Sequence, residues 1–365
     1  ASDGTCTANI TNNLSNRNKI INGEMAVAQR GTSFAAASEY TVDRFRISKS
    51  NDGAVTVTQS STTPDGFANS LKVDVTTADT SIAASQYLQL SQRIEAQNLQ
   101  DLAYGTSSAK TITISFWVRS NVTGTYTFAL QQPDNSSKQV SQTYTIDSAD
   151  TWEKKTFTFA GDTSGVINND TGNGMHVYWN LSIGSTYTSG TSRSTWTSYV
   201  NGDFAAGHTA NLLSSTSNEW YITGVQFEVG SVATDFEHRS YRDELARCQR
   251  YYYLHGTGAG NYGLQGTGMM GLNSSTITGK IIMWFPVPMR TKPSATYHTA
   301  NEFRNDTGLA ANDSTFGAIW GDATSVNCAW VDFPGGSGSN FGSSKAVMVY
   351  SRSGSSAKMA FSAEL

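Results

Sequence analysis

The stretch TITISFWVRS, residues 111–120, decides the fold. Ile112, Ile114, Phe116 and Val118 recur at every second position, a spacing that puts all four on one face of an extended chain. Thr113, Ser115, Trp117 and Arg119 take the opposite face. The run therefore reads as a strand with one apolar and one polar side.

The same reading spreads outward in both directions. AVTVTQS (54–60), NSLKVDVTT (69–77), QYLQLSQRIE (86–95), TYTFALQ (125–131), QTYTIDS (142–148), TWEKKTFTFAG (151–161), MHVYWNLSIG (175–184) and NEWYITGVQFEVG (218–230) are short and bounded by turn residues. Strands with turn signals every ten or so residues predict an all-β, jelly-roll-type sandwich. Within the last run the apolar phase slips at Gly224, from Trp220 and Ile222 to Val225, Phe227 and Val229, which predicts a β-bulge. Near the start, Asn22-Gly23 predicts a turn. YTVDRFRI (40–47) alternates and reads as a further strand, with Tyr40, Val42, Arg44 and Arg46 opposite Asp43, Phe45 and Ile47.

Downstream of 230 the pattern changes. Arg239, Tyr241, Arg242, Leu245, Ala246, Cys248 and Gln249 have helical spacing, so a short helix is expected between two β modules. The Gly-rich stretch 256–275 follows. A second β set then runs through TITGKIIMWFPVPMR, SATYHTA, FGAIW, SVNCAWVDF, AVMVYSRS and AKMAFSAEL. The expected organisation is an arm over 1–16, a sandwich over 17–236, a helical connector over 237–255 and a smaller C-terminal β-sandwich over 256–365.

Composition agrees with many strands. Hydrophobic residues make up 38% and charged residues only 15%, with 33 Gly, 16 Tyr, 16 Phe and 8 Trp. So much aromatic area excludes a disordered chain. The net charge of −4 and the lack of a basic patch interleaved with aromatics exclude nucleic acid as the main partner. No run approaches the roughly 18 apolar residues of a membrane span, so no membrane insertion is expected. The three cysteines, Cys6, Cys248 and Cys328, have neither a disulfide-framework pattern nor metal-ligand spacing.

Several motifs, in order, resemble the tail-fibre-like and other virion appendage proteins of tailed phages. They are NKIINGEMAVAQRGTSF, YTVDRFRI, PDGFANSLKVD, LQLSQRIEAQNL, ISFWVRS, DTWEKKTFTFAGDTSG and STSNEWYITGVQFEVGSVATDFEHRSYRDELARCQRYY, spread over 18–253. The sandwich is also similar to jelly-roll carbohydrate-binding modules. FPVPMRTKPSATY resembles the C-terminal β module of such phage proteins. The resemblance implies a virion protein, trimeric, that contributes to host-surface attachment. A short spike or capsid-mounted fibre fits the sixteen-residue arm as well as a tail fibre does. Ile10 and Leu14 are the apolar residues of that arm available to anchor it on other virion proteins.

Sugar recognition needs aromatic faces for the C–H-rich side of a pyranose and amides or carboxylates for its hydroxyls. The segment GSTYTSGTSRSTWTSYVNGDFAAGH (184–208) offers Tyr187, Trp196 and Tyr199. Trp117 with Arg119, and Tyr178 with His176, project from polar strand faces. The same aromatics can instead pack loops or fill a subunit interface. Host-surface polysaccharide is the expected ligand. In the charged segment, Arg239, Arg242 and Arg247 read either as an assembly latch or as a solvated connector. Asp162, Asn168, Asn169 and Asp170 are oxygen ligands suited to Ca²⁺, without EF-hand spacing, so no cofactor is expected. Catalysis has no motif support, since Glu153, Asp162, Asp203, Glu219 and Glu228 cannot be paired across a cleft from sequence.

Overall fold

The computed structural model describes residues 16–134, 137–255, 270–275, 278–297, 303–306, 311–314, 318–319, 324–334, 346–351 and 358–365. Ile10 and Leu14 lie outside them. The chain divides into two compact units: residues 1–26 with 32–240, and residues 27–31 with 241–365.

The first unit is built from twelve strands: β1 (Ser33–Ala36), β2 (Arg46–Lys49), β3 (Ala54–Ser60), β4 (Ser70–Thr77), β5 (Tyr87–Glu95), β6 (Ile112–Ser120), β7 (Gly124–Gln132), β8 (Lys138–Ile146), β9 (Glu153–Phe159), β10 (Asn173–Ile183), β11 (Thr197–Ser198) and β12 (Glu219–Val229). They form two six-stranded sheets, ordered β1-β3-β4-β12-β6-β9 and β11-β8-β7-β10-β5-β2. Every pairing between them is antiparallel. The chain crosses repeatedly from one sheet to the other, which is the jelly-roll manner of covering both apolar faces at once.

The alternation read from 111–120 has its physical outcome here. Ile112, Ile114, Phe116 and Val118 are fully buried. Phe116 meets Phe128 and Trp179 of the facing sheet, with ring centroids 5.9 and 5.7 Å apart. Phe128 stacks on Phe157 at 5.1 Å. One apolar core thus joins both sheets.

The bulge expected at Gly224 is present. The β12–β6 register shifts between Thr223 and Gln226, and Gly224 adopts φ +59°. The turn at Asn22-Gly23 is also present, closed by the Met25 amide donating to the Asn22 carbonyl at 2.9 Å. The continuous strand expected over 40–47 is not. The Phe45 amide donates to the Val42 carbonyl and the Thr41 amide to the Phe45 carbonyl, a tight turn with Arg44 at φ +72°. The turn lets Val42 and Phe45, three residues apart, both enter the core. Arg44 is buried beside them and donates to the Arg93 carbonyl at 2.7 Å.

Residues 18–25 close the sandwich by bridging its two sheets. The Lys19 amide donates to the Phe227 carbonyl at 2.8 Å on one side. On the other, the Gln92 side chain exchanges hydrogen bonds with both the amide and the carbonyl of Ile21. A buried Asn18 accepts from the Phe227 and Ile20 amides and donates to the Val225 carbonyl.

In the second unit, α1 (Tyr241–Gln249) is the short helix expected from the spacing, with Glu244 and Cys248 buried and Arg242 exposed. Strand β13 (Tyr252–His255) belongs to a three-stranded sheet with Ser294–Tyr297 and Met359–Ser362; Met270–Ser275, Thr278–Trp284 and Cys328–Pro334 belong to a seven-stranded one. Met283, Phe285, Val331, Met359 and Phe361 form a core common to both sheets. Residues 27–31 dock onto this unit: Gln29 donates to the Tyr252 carbonyl at 2.8 Å, and Arg30 pairs with Glu364 at 2.9 Å. Among the described residues no helix is long and apolar enough to cross a membrane.

Candidate functional site

Strand register sorts the outer face of the second sheet into rows. Opposed residues place Ser48, Gln89, Asn180, Thr127 and Thr143 across one row, and Arg46, Ser91, Tyr178, Ala129 and Ser141 across the next. Arg93, His176, Gln131 and Gln139 form the third. This is the polar side of each strand, and the chain covers part of it with its own segment 184–210.

That segment is pinned at several points. A short helix, Ser185–Thr188, carries Tyr187, whose carbonyl accepts from the Ala205 amide at 2.8 Å. The Tyr199 amide donates to the Ser137 carbonyl, and the Ser141 hydroxyl to the Asp203 carbonyl. Asp203 accepts from the Thr191 amide and from Arg193, both at 2.7 Å. The Thr191 amide and the Arg193 guanidinium hold its carboxyl below the usual range. Underneath runs a buried ladder: Gln89 donates to Asn180 at 2.8 Å, Asn180 to the Thr127 hydroxyl at 2.9 Å, and His208 to the Ala210 carbonyl at 2.7 Å.

Where the segment stands off the sheet it leaves a cleft of about 150 Å³ lined by Tyr87, Gln89, Gln131, Tyr178, Tyr187, Tyr199 and Phe204. The rings brace one another edge-on: Tyr87 with Tyr187 at 6.0 Å and Tyr178 with Phe204 at 5.2 Å. Tyr199 meets Phe204 at 5.9 Å. The Tyr178 hydroxyl touches His176 Nδ1 and lies 3.5 Å from Gln131 Oε1. Burial pushes the Tyr178 hydroxyl up to about 12 and lifts that of Tyr199 as well, so both remain neutral hydrogen-bonding groups at pH 7. Aromatic walls with phenol and amide groups at their rims can grip a hydroxylated ring: apolar faces cover its C–H side while hydroxyls and amides exchange hydrogen bonds with it.

Of the residues picked from sequence, the structure brings together Tyr178, Tyr187 and Tyr199. Trp196 turns the other way, against Tyr104 at 5.7 Å, with its indole N–H donating to the Ala160 carbonyl at 3.0 Å. Trp117 and Arg119 lie on the other sheet. Arg119 pairs there with Asp150 at 2.8 Å and Glu219 at 3.2 Å, over the Tyr221 ring. Tyr87, Gln89, Gln131 and Phe204 complete the cleft without having been singled out. The signal for the first two was present in QYLQLSQRIE, where Tyr87 and Gln89 share the polar phase. Arg239 is buried in the first unit, donating to the carbonyls of Asn18 and Ile20 and pairing with Glu237. Arg242 and Arg247 lie on α1.

The Ca²⁺-suited oxygens do not converge. Asp162 accepts from Lys138, Ser164 and Gln132, Asp170 from the Gly172 amide, and Asn168 bonds Asp134. No group of three or more His, Cys, Asp or Glu among the described residues is placed to hold a metal.

His208 gives the site a pH signature. Burial lowers its imidazole to about 4, so it is neutral when folded and titrates near 6.5 when unfolded. Between those values the unfolded chain binds the extra proton, so stability falls as pH drops through that window, by up to about 1.4 kcal/mol per pH unit for one group. Urea unfolding at pH 7 and pH 5 is expected to show this loss, and His208→Gln to reduce the slope. An unchanged slope in the variant would remove His208 from the account.

The chain is an all-β sandwich of the jelly-roll type with an aromatic cleft on the outer face of one sheet. No known protein family and no curated protein matches it. Among solved structures it is similar to the enzymatically active domain of tailspike protein 4 of bacteriophage CBA120, at 12% identity and TM-score 0.32, covering 58% of this chain. It spans 21% of that tailspike chain, about a fifth of its length. It is also similar to the family 11 carbohydrate-binding module of Clostridium thermocellum in complex with a β-1,3-1,4-mixed-linked tetrasaccharide, at 12% identity and TM-score 0.28, covering 57% of this chain and 99% of that one. A third likeness is to TmCBM61 in complex with β-1,4-galactotriose, at 14% identity and TM-score 0.27, covering 59% and 99%. At these scores the likenesses assign neither a ligand nor a site.

Proposed function

We propose that the protein is a non-catalytic appendage of a tailed-phage virion that holds host-surface polysaccharide in the tyrosine cleft. The cleft carries this reading, because four tyrosines and two glutamines converge there on the solvent side of a sheet. The ordered phage-like motifs over 18–253 support the virion setting, with residues 1–16 as the arm that meets other virion proteins. Assembly as a homotrimer would present three weak sites together and raise avidity through effective concentration. Of the five carboxylates weighed from sequence, Glu153, Asp162, Asp203 and Glu219 are held below their ordinary pKa, the opposite of the rise that a glycosidase's acid needs.

Tyr187 forms one wall of the cleft from the outer segment, so its loss should weaken sugar contact while sparing the core. Tyr187→Ala is expected to lower affinity for host polysaccharide about tenfold, equivalent to about 1.4 kcal/mol, with unchanged thermal unfolding. The ring contacts within the cleft favour a second reading, in which the tyrosines serve only to hold segment 184–210. That reading predicts a lowered melting temperature in Tyr187→Ala and no binding by either protein.

A further inference from the structure

Two arginines neighbour the cleft on the same sheet face, with the buried Glu95 two positions beyond one of them. Arg93 stands directly opposite His176, and Arg46 directly opposite Ser91, which is itself opposite Tyr178. Strands lie roughly 4.8 Å apart and diagonal neighbours about 7–8 Å, so both arginines rise within one or two sugar-ring lengths of Tyr178. Both residues are half-buried. β2 is the last strand of its sheet, and residues 38–41 run along its outer edge, with Tyr40 bridged to Arg46. The Arg46 guanidinium is held by neutral acceptors, the Ser48 hydroxyl and the Ser38 carbonyl. Burial, together with the charges of Arg93 and Arg46, lowers the His176 imidazole to about 3. The same two charges act on the Tyr178 hydroxyl. The positive potential of the strip therefore reaches the cleft wall.

The geometry points to an anionic glycan as the ligand, its sugar rings lying in the tyrosine cleft and its carboxylate or sulfate groups meeting Arg93 and Arg46. The inference rests on the cleft reading and adds to it the charge class of the polysaccharide. Guanidinium groups match both kinds of oxyanion, through paired N–H donors.

The test compares the full chain's binding to a polyuronate (alginate), a sulfated glucan (dextran sulfate) and a neutral glucan (dextran), at about 50 mM and about 500 mM salt, where screening lengths differ several-fold. Wild type is expected to favour at least one anionic polymer over dextran by about tenfold, with the preference largely lost at high salt. Which anionic polymer wins separates carboxylate from sulfate. Arg46→Gln with Arg93→Gln should abolish the preference and leave neutral binding unchanged, while Arg46→Lys with Arg93→Lys should retain most of the salt dependence, which also guards against a folding defect. Equal binding of neutral and anionic polymers, unaffected by the Gln pair, would overturn the charge assignment and leave the cleft reading standing. Anionic binding that survives Tyr187→Ala but not the Gln pair would be surface adsorption, and would overturn it too. Failure of every polymer and of host polysaccharide would remove the cleft reading itself.

Discussion

Gly23→Ala is expected to destabilise the first unit by at least about 3 kcal/mol, at the upper end of overpacking costs. The reason is a single close approach. A Cβ on Gly23 would stand 2.2 Å from the Val225 carbonyl oxygen, and that oxygen is backbone in the bulged strand β12. Relief requires moving either the turn or the bulge, and the two are joined by the Val225 amide donating to the Gly23 carbonyl at 2.9 Å. Asn22 is fixed as well, since it is fully buried at φ +62° and donates to the Asp43 carbonyl. Gly66→Ala is the control. Gly66 has positive φ where Gly23 does not, but nothing lies within 4 Å of its added carbon, so only the left-handed backbone cost of about 1 kcal/mol applies. Hydrogen exchange of the full chain, read at 18–25 and 219–229, should show early opening in Gly23→Ala and near-normal protection in Gly66→Ala. Equal protection in the two variants would mean that the turn does not bear on the bulge.

Much of this fold was legible because its determinants are local. Period-two alternation in 111–120 depends on residues one strand long, and Gly224 marked the bulge because a phase slip is visible without knowing the partner. Asn22-Gly23 marked a turn on the same footing. YTVDRFRI misled because alternation is equally compatible with a turn that returns Val42 and Phe45 to one core. The site was legible in part. Tyr187 and Tyr199 were visible as an aromatic-rich loop, but both sheets have a polar face, and nothing local says which of them the loop covers. Trp196 lies just before Thr197–Ser198, the edge strand paired with β8, and it sits on the side of the segment that faces Tyr104. Gln131, at the end of a different hairpin, joins the cleft through strand order alone.

Arg239 is the residue whose role depends most on folding. From sequence it belongs to a run of near-balanced charge beside α1. In the folded chain its side chain is only 7% exposed, and that of Glu237 9%. Its guanidinium donates to the Ile20 carbonyl at 3.1 Å and to the Asn18 carbonyl, and pairs with Glu237 at 3.1 Å. Glu237 in turn accepts from the Asn18 amide at 2.9 Å, and its own amide donates to Gln226. Burial alone would raise the Glu237 carboxyl; the Asn18 amide and Arg239 outweigh that and hold it below its usual range. Arg239 therefore fastens the leading segment 18–20 to the chain leaving β12. Arg239→Ala would strand a buried carboxylate and two carbonyls, and removing one partner of such a pair costs about 3–5 kcal/mol. We expect a melting temperature lower by roughly 10 °C, at about 2–4 °C per kcal/mol for a unit of this size. Arg239→Ala with Glu237→Gln should recover part of the loss, because no uncompensated charge then remains. The contrast that decides is with Arg242→Ala on the exposed face of α1, which should leave melting unchanged. If Arg239→Ala also melts normally but lowers the oligomeric state, the residue serves assembly, and the stitch between the two ends of the sandwich carries little of its stability.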